Sequence, residues 1–275
     1  NKKDVKKALN TLHEQFFEKN IKQLNLFVTG VGNVGKKLLE QIFNQTKYLE
    51  ENLHIQIKIV GISNSKKMLF NNSGIGINNW QNELKKGEKS SEEKFFKRTN
   101  TLNLRNSIFI DNTASRIIAN TYKDYLRNSI SVVTCNKIAC SDNYLNYKNL
   151  NDLAKQYSSS FLFETNVGAG LPIIDTLNNL IASGDRIKSI QAVLSGSLNY
   201  ILNNFNKKNS FDNTVKSAMS EGYTEPDPKI DLSGIDVARK ILILARVSGI
   251  KLELNDIKNN SFLPKDCLNT KNNDE

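Results

Sequence analysis

The chain has 275 residues, 39% hydrophobic and 24% charged, with a formal net charge of +10, so it has the length for a buried core and for two domains. Its lysines are scattered, with no dense basic block or aromatic-interleaved strip, which fits attraction of a polyanionic small molecule better than nucleic-acid binding. No stretch has the length of a membrane span and no signal-peptide pattern opens the chain, while three cysteines and two histidines give neither a zinc spacing nor a thiol–histidine pair. These readings lead to the expectation of a soluble, cytoplasmic protein with reduced thiols, no nucleic-acid partner and no membrane partner.

Residues 1–21 read as an N-terminal linker helix with apolar positions at Val5, Leu9, Leu12 and Phe16. Leu24–Thr29 is a short β-like run. Gly30-Val31-Gly32-Asn33-Val34-Gly35 follows directly, and then Leu38, Leu39, Ile42 and Phe43 at helical spacing. Strand, G-x-G-x-x-G and helix together form the context that a dinucleotide fingerprint requires. Gly30 permits the tight turn, Gly32 lets the backbone approach a pyrophosphate, and Gly35 lets helix and strand pack closely. The helix N-terminus offers free N–H groups to the phosphates. A second strand, His54–Ile62, runs into Ser63-Asn64-Ser65-Lys66-Lys67. An acid there would hold a ribose 2′-OH; two cations instead favour NADP, with NAD possible and solvated lysines as the plainer alternative.

Residues 71–100 read as a polar connecting excursion with a short helix. Ser107–Asp111 is a strand that ends in Asn112-Thr113-Ala114-Ser115, and Ser131–Cys135 is another that ends in Asn136-Lys137. Small polar residues thus stand at strand carboxyl ends, where a doubly wound sheet binds its ligand. Lys137 is suited to cofactor phosphates, to a substrate carboxylate, or simply to the surface. Phe161–Thr165 leads through the glycine-rich turn Asn166–Pro172 into an amphipathic stretch, Ile173–Ile181, as a crossover to a second domain. Ser189–Leu194 reads as a strand, with Ser195–Tyr200 turning into a helix.

The segment Glu221–Lys240 places Glu225, Asp227, Asp231 and Asp236 around two of the chain's four prolines. Proline fixes φ and removes a donor, so Thr224–Pro228 is expected as a rigid non-helical loop holding carboxylates. Asp231 or Ser233 is then placed to cap a helix. On that helix Asp236 and Lys240, at i and i+4, share a face beside the apolar run Ile241–Ala245. A lysine held by a carboxylate at the edge of a core is a candidate proton donor; an exposed i,i+4 salt bridge is the bland alternative, which the acidic loop disfavours. Clustered acids also suit magnesium, but no phosphotransfer motif accompanies them.

The motifs G-V-G-N-V-G (30–35), D-N-T-A-S (111–115), T-C-N-K (134–137), E-T-N-V-G-A-G-L-P (164–172), S-G-S-L-N (195–199) and G-Y-T-E-P-D-P-K-I-D-L-S-G-I-D-V-A-R-K (222–240) occur in one order. In this order the chain resembles homoserine dehydrogenase, and most of all the dehydrogenase part of the bifunctional aspartate kinase–homoserine dehydrogenases. The resemblance covers roughly residues 22–260, and Lys229 stands where that family usually has arginine.

The resemblance implies NAD(P)-dependent interconversion of L-aspartate 4-semialdehyde and L-homoserine, on the route to threonine and methionine. It implies Lys240 as proton donor, with Asp236 beside it and Glu225 in the catalytic group. Glu225 and Asp231 would hold the substrate's amino-acid end near Tyr223 and Gly222. Asn33, Val34, Thr113, Cys135 and Lys137 would join Gly30, Gly32 and Gly35 around the cofactor. Glu164, Val167, Ala169 and Leu171 would form a monovalent-cation site made mostly of carbonyls. The expected fold class is α/β: a Rossmann-type domain over 22–163, then an α+β catalytic and dimerisation domain over 164–275, C-terminally incomplete. A homo-oligomer, dimer or tetramer, is expected of the full-length protein. The rival readings are a catalytically silent dinucleotide-binding fragment and a nucleic-acid binder exploiting the charge.

Overall fold

A computed structural model describes residues 21–76, 78–224, 228–261 and 263–264, together with Val5, Ala8, Leu9 and Leu12. Apart from those four positions and Ile21, the expected helix over 1–21 lies outside the described residues, as do Glu225, Asp227 and Cys267. The chain divides into two compact units, residues 1–139 with 145–163, and residues 140–144 with 164–275.

The first unit is built on a seven-stranded sheet in the order β4-β3-β2-β1-β5-β6-β7. Its strands are β1 (Lys22–Thr29), β2 (Ile55–Ser63), β3 (Lys67–Phe70), β4 (Glu88–Lys89), β5 (Ser107–Asp111), β6 (Ser131–Thr134) and β7 (Phe161–Leu162). The five strands from β2 to β7 by way of β1 are parallel; β3 and β4 extend the sheet antiparallel. The central strand β1 is buried over its second half, with Leu26, Phe27 and Val28 all apolar in succession, as a strand covered on both faces requires. Helix α1 (Asn33–Leu53) follows the first strand and packs Leu39, with Leu38 and Ile42, against this core. It runs to Leu53 and ends on His54, a left-handed C-cap at φ 54°, so β2 begins one residue later than the sequence pattern indicates.

The polar excursion over 71–100 contains more structure than its composition conveys. Helix α2 (Trp80–Lys86) and helix α3 (Glu92–Leu102) flank β4, and both added strands are short and lysine-bearing, as protected edges are. They are secured by aromatic packing. Phe70 meets Phe27 and Phe95, Phe95 meets Phe109, and Phe109 stacks on Tyr125 at 3.9 Å and 8°. Helices α4 (Arg116–Ala119), α5 (Tyr122–Arg127), α6 (Ile138–Ser141) and α7 (Tyr144–Gln156) complete the connections between β5, β6 and β7.

The second unit is described as helices α8 (Ile173–Ala182), α9 (Gly196–Asn204), α10 (Phe211–Ser220), α11 (Pro228–Leu232) and α12 (Ile235–Val247). The strand expected at Ser189–Leu194 is not formed among the described residues. A strand is a paired object, and no described strand of this unit lies alongside; Val193 is 81% exposed. The capping expectation is corrected in part. Asp231 lies inside α11, which Pro228 opens at a first-turn position where its missing N–H costs nothing, whereas Ser233 Oγ accepts the Ile235 N–H at 3.4 Å, one residue before Gly234, whose φ of 77° starts α12. The apolar run buries as its pattern requires, with Ala238, Leu242, Ile243 and Leu244 all in the core.

Arg246, at the end of α12, has a fully buried side chain. Its guanidinium donates to the carbonyls of Leu252 and Cys140 and pairs with Glu253 at 3.0 Å, while Glu253 also accepts the Tyr144 N–H. One planar fork thus ties α12, the 250–256 segment and residues 140–144 together. Arg246→Ala leaves two buried carbonyls unpaired and is expected to destabilise the protein by about 3 kcal/mol. A denaturant midpoint equal to the parent's would show that the fork is dispensable.

Candidate functional site

The dinucleotide turn is shaped by contact distances that admit only glycine. A Cβ added at Gly35 would lie 2.0 Å from the Gly30 carbonyl oxygen, and one at Gly30, itself at φ 87°, would lie 2.7 Å from the Thr113 methyl. At Gly32 a Cβ would meet nothing within 4 Å. The backbone at Gly32 is therefore open on the side where a pyrophosphate would approach. Helix α1 starts there with no side-chain cap and no acid in its first turn, so its leading N–H groups face no competing carboxylate. Asn33 and Val34, both exposed, form that first turn. The Nδ2 donor of Asn112, 3.3 Å from the added Gly35 Cβ, is buried and has no partner among the described residues. An open glycine, an uncapped helix start and an orphaned donor all fit a phosphate-bearing cofactor.

Beyond the turn, a cleft of about 380 Å³ is lined by Ser63, Asn64, Ser65, Ser91, Phe109 and Thr113, among others. Thr113 is on the loop after β5. Cys135 and Lys137, both half-buried, are on the loop after β6. Burial, and after it the negative charge of Asp111, pushes the Cys135 thiol above its ordinary pKa. Of the two cations expected beside the ribose, Lys67 donates to the Gly87 carbonyl at 2.8 Å and is half-buried; Lys66 is exposed. Ser90 and Glu92 also line this cleft, brought there by the β3–β4 extension that the sequence pattern did not reveal.

In the second unit, Lys240 lies 2.6 Å from Asp236, with only 16% and 23% of the two side chains exposed. The Lys240 ammonium also donates to the Leu194 carbonyl at 2.7 Å. Asp231 is buried and accepts from Ser197 Oγ at 2.8 Å; Ser197 meets Ser195 Oγ at 2.9 Å, and Ser195 caps α9 through the Leu198 N–H. The serine pair and the Leu194 carbonyl are parts of this region that residue chemistry alone did not single out. Tyr223 is half exposed and stacks on Tyr200 at 4.3 Å, next to Gly222 at φ 77°.

A sequence model of the homoserine dehydrogenase NAD-binding domain matches residues 30–164, and one of homoserine dehydrogenase itself matches residues 172–274. The chain belongs to the homoserine dehydrogenase family. It is 41% identical over 266 residues to a chloroplastic bifunctional aspartokinase/homoserine dehydrogenase of Arabidopsis thaliana, covering 96% of this chain and 29% of that one. It is 36% identical over 237 residues to the homoserine dehydrogenase of Schizosaccharomyces pombe, covering 84% and 63%. A hyperthermophilic archaeal homoserine dehydrogenase in complex with NADPH superposes with a TM-score of 0.69 at 26% identity, covering 86% of this chain and 75% of that one. The chain therefore spans less than a third of the Arabidopsis protein's length and less than two thirds of the Schizosaccharomyces protein's.

In this member of the homoserine dehydrogenase family, the turn at 164–171 starts the following helix. Both Glu164 carboxylate oxygens are taken at 2.8 Å by the Ile174 and Asp175 N–H groups, so the side chain caps α8. The Glu164 and Leu171 carbonyls accept from Val167 at 3.3 Å and Ile173 at 2.9 Å. Those of Val167 and Ala169 receive no hydrogen bond among the described residues, and Gly168 and Ala169 both sit at positive φ.

The glycine distances separate folding from binding. Gly32→Ala is expected to keep the parent's thermal midpoint and to weaken NADPH binding about tenfold or more by filling the approach to the turn; Gly35→Ala should lower the midpoint as well. A Gly32→Ala protein that binds like the parent would remove the open face from the site. The raised Cys135 pKa leaves less thiolate at pH 8 than a free cysteine has, so its alkylation there should be slower than that of free cysteine and should accelerate toward higher pH. Mass-spectrometric rates on labelled peptides test this, and a rate matching free cysteine would contradict it.

Proposed function

We propose that the chain catalyses the reversible, NADP-dependent reduction of L-aspartate 4-semialdehyde to L-homoserine. The observation that carries this reading is the Lys240 ammonium, held between the Asp236 carboxylate and the Leu194 carbonyl at the edge of the buried part of its helix. An ammonium has three N–H donors. Two are fixed by these partners, and the geometry supports the third as the one offered to a substrate oxygen.

When bound, the nicotinamide supplies the hydride to the aldehyde carbon and takes it back from the alcohol. The chain's own task is the oxygen. As negative charge develops on it, Lys240 stabilises the charge and delivers a proton, and in the reverse direction Lys240 takes that proton back. Asp236 keeps the Lys240 ammonium aimed. Asp231, with one oxygen fixed by Ser197, is assigned to the substrate's ammonium, together with Glu225 and the neighbourhood of Gly222 and Tyr223. Gly30, Gly32, Asn33, Val34 and Gly35 would hold the cofactor's pyrophosphate, and Thr113, Cys135 and Lys137 would contact the cofactor from the loops after β5 and β6. The preference for NADP over NAD rests on Lys66 alone of the lysine pair, because Lys67 is directed to Gly87. A monovalent cation is assigned to the 164–171 turn through the Val167 and Ala169 carbonyls, with Glu164 and Leu171 completing the turn. Free thiols at Cys135 and Cys140 support a reducing, cytoplasmic setting, and exposed Leu171, Val193, Leu202 and Phe205 support a homo-oligomer.

The test is NADPH oxidation with L-aspartate 4-semialdehyde in the natural full-length protein. Lys240→Ala is expected to lower kcat by about 10²–10⁴-fold while NADPH binding persists. Turnover undiminished in that variant would remove Lys240 from the chemistry; no turnover in the parent, with NADPH bound, would leave a dinucleotide-binding protein and no dehydrogenase.

A further inference from the structure

We propose that Asp111 is a positioning residue that holds the two strand-end loops of the dinucleotide site in register, without itself touching the cofactor; the inference rests on the dinucleotide-binding part of the function proposed above. Asp111 ends β5 and is fully buried. Its carboxylate collects donors from three separate places: the Thr113 N–H at 2.7 Å on its own loop, the Tyr122 hydroxyl at 2.5 Å at the start of α5, and the Asn136 amide at 3.0 Å on the loop after β6. A buried carboxylate is an expensive way to fill the end of a strand, and an apolar side chain of similar size would serve packing alone. What the carboxylate adds is direction, since each donor fixes a different element against it.

Asn136, also buried, extends the clamp. Its Nδ2 is shared between Asp111 and the Ser115 carbonyl, both at 3.0 Å, its Oδ1 accepts the Ile138 N–H at 3.1 Å, and its own N–H reaches Thr134 Oγ1 at 2.9 Å. One carboxylate and one amide thus connect the 112–115 loop to the 135–138 loop. The first carries Thr113, whose methyl sets the 2.7 Å limit at Gly30; the second carries Cys135 and Lys137 on either side of Asn136. A shift of Asp111 moves all of these together. Asparagine at 111 would keep the shape but set an N–H₂ against a donor in either orientation, the Thr113 N–H in one and the Asn136 amide in the other.

The experiment is NADPH titration by fluorescence in the full-length protein, with steady-state kinetics and thermal melts, on the parent, Asp111→Asn and Tyr122→Phe. Asp111→Asn is expected to raise the NADPH Kd about tenfold or more, with KM for the aldehyde at saturating NADPH staying within about twofold. Should Asp111→Asn fail to fold, Tyr122→Phe, which withdraws a single hydroxyl, carries the same reading with a rise of a few-fold expected. A folded Asp111→Asn or Tyr122→Phe protein with the parent's Kd overturns the proposal, as does a loss that falls equally on KM for the aldehyde at saturating NADPH. A parent that binds no NADPH refutes the dinucleotide reading itself, and this inference with it.

Discussion

The cofactor-binding half of this protein depends on one row of residues. Ser63, Thr29, Asp111 and Thr134 stand level across β2, β1, β5 and β6, each the last residue of its strand. Parallel strands that finish together leave their outgoing loops at a common height, and a doubly wound sheet presents its crevice where those loops part to either side. The row is polar in a buried place, and its members satisfy one another. Ser63 donates to Thr29 at 3.0 Å, and Thr134 lies 2.8 Å from Tyr122 and donates to the Asp111 carbonyl at 3.2 Å. Strand ends that bond laterally cannot slip in register without leaving buried groups unpaired, so the loops above inherit the sheet's rigidity.

The second unit reaches a comparable rigidity through a helix. Helix α12 buries Ala238, Leu242, Ile243 and Leu244 and keeps Asp236 and Lys240 partly shielded beside them. Partial burial is the operative condition. At full exposure the pair would be a surface salt bridge worth almost nothing, and at full burial the ammonium would cost too much to keep charged. The Leu194 carbonyl adds a neutral acceptor that fixes the ammonium's direction, which a carboxylate on the same helix does not do alone. At the other end of α12, Arg246 makes four hydrogen bonds, three to carbonyls and one to a carboxylate. The helix is thereby anchored behind the residue that must not move.

What the sequence revealed follows from how local each signal is. The G-x-G-x-x-G turn, the end of β5 and the Asp236–Lys240 spacing are encoded within a few residues, and each stands in the structure at the expected place, while β6 stops one residue short of its expected end, at Thr134. Interactions across long separations were not legible. Ser197 reaches Asp231 over 34 positions, Leu194 reaches Lys240 over 46, and Lys67 is drawn from the cofactor side to Gly87 by a strand pair too short to show alternation. The expected strand at Ser189–Leu194 failed for a related reason. Its β-like composition is local, but a ladder needs a partner, and that partner is not among the described residues. Of the two expected caps of α12, Ser233 does accept the Ile235 N–H, while Asp231 lies inside α11; both are good capping residues, and the left-handed φ of Gly234 decides where the helix begins.

The dispersed charge of the chain accords with how its cofactor site is made. A polyanion attracts lysines only where backbone donors do not already serve, and here the approach to Gly32, the uncapped start of α1 and the Asn112 amide present neutral N–H groups at fixed positions. Lys36 and Lys37, next in sequence, are exposed on α1, and Lys37 is paired with Glu40 at 3.1 Å. Site geometry therefore places little demand on where the remaining lysines fall, while a net charge of +10 still supplies a long-range field that favours an anionic ligand. These donors are backbone and amide groups, which a lysine- and asparagine-rich drift of the surface leaves intact.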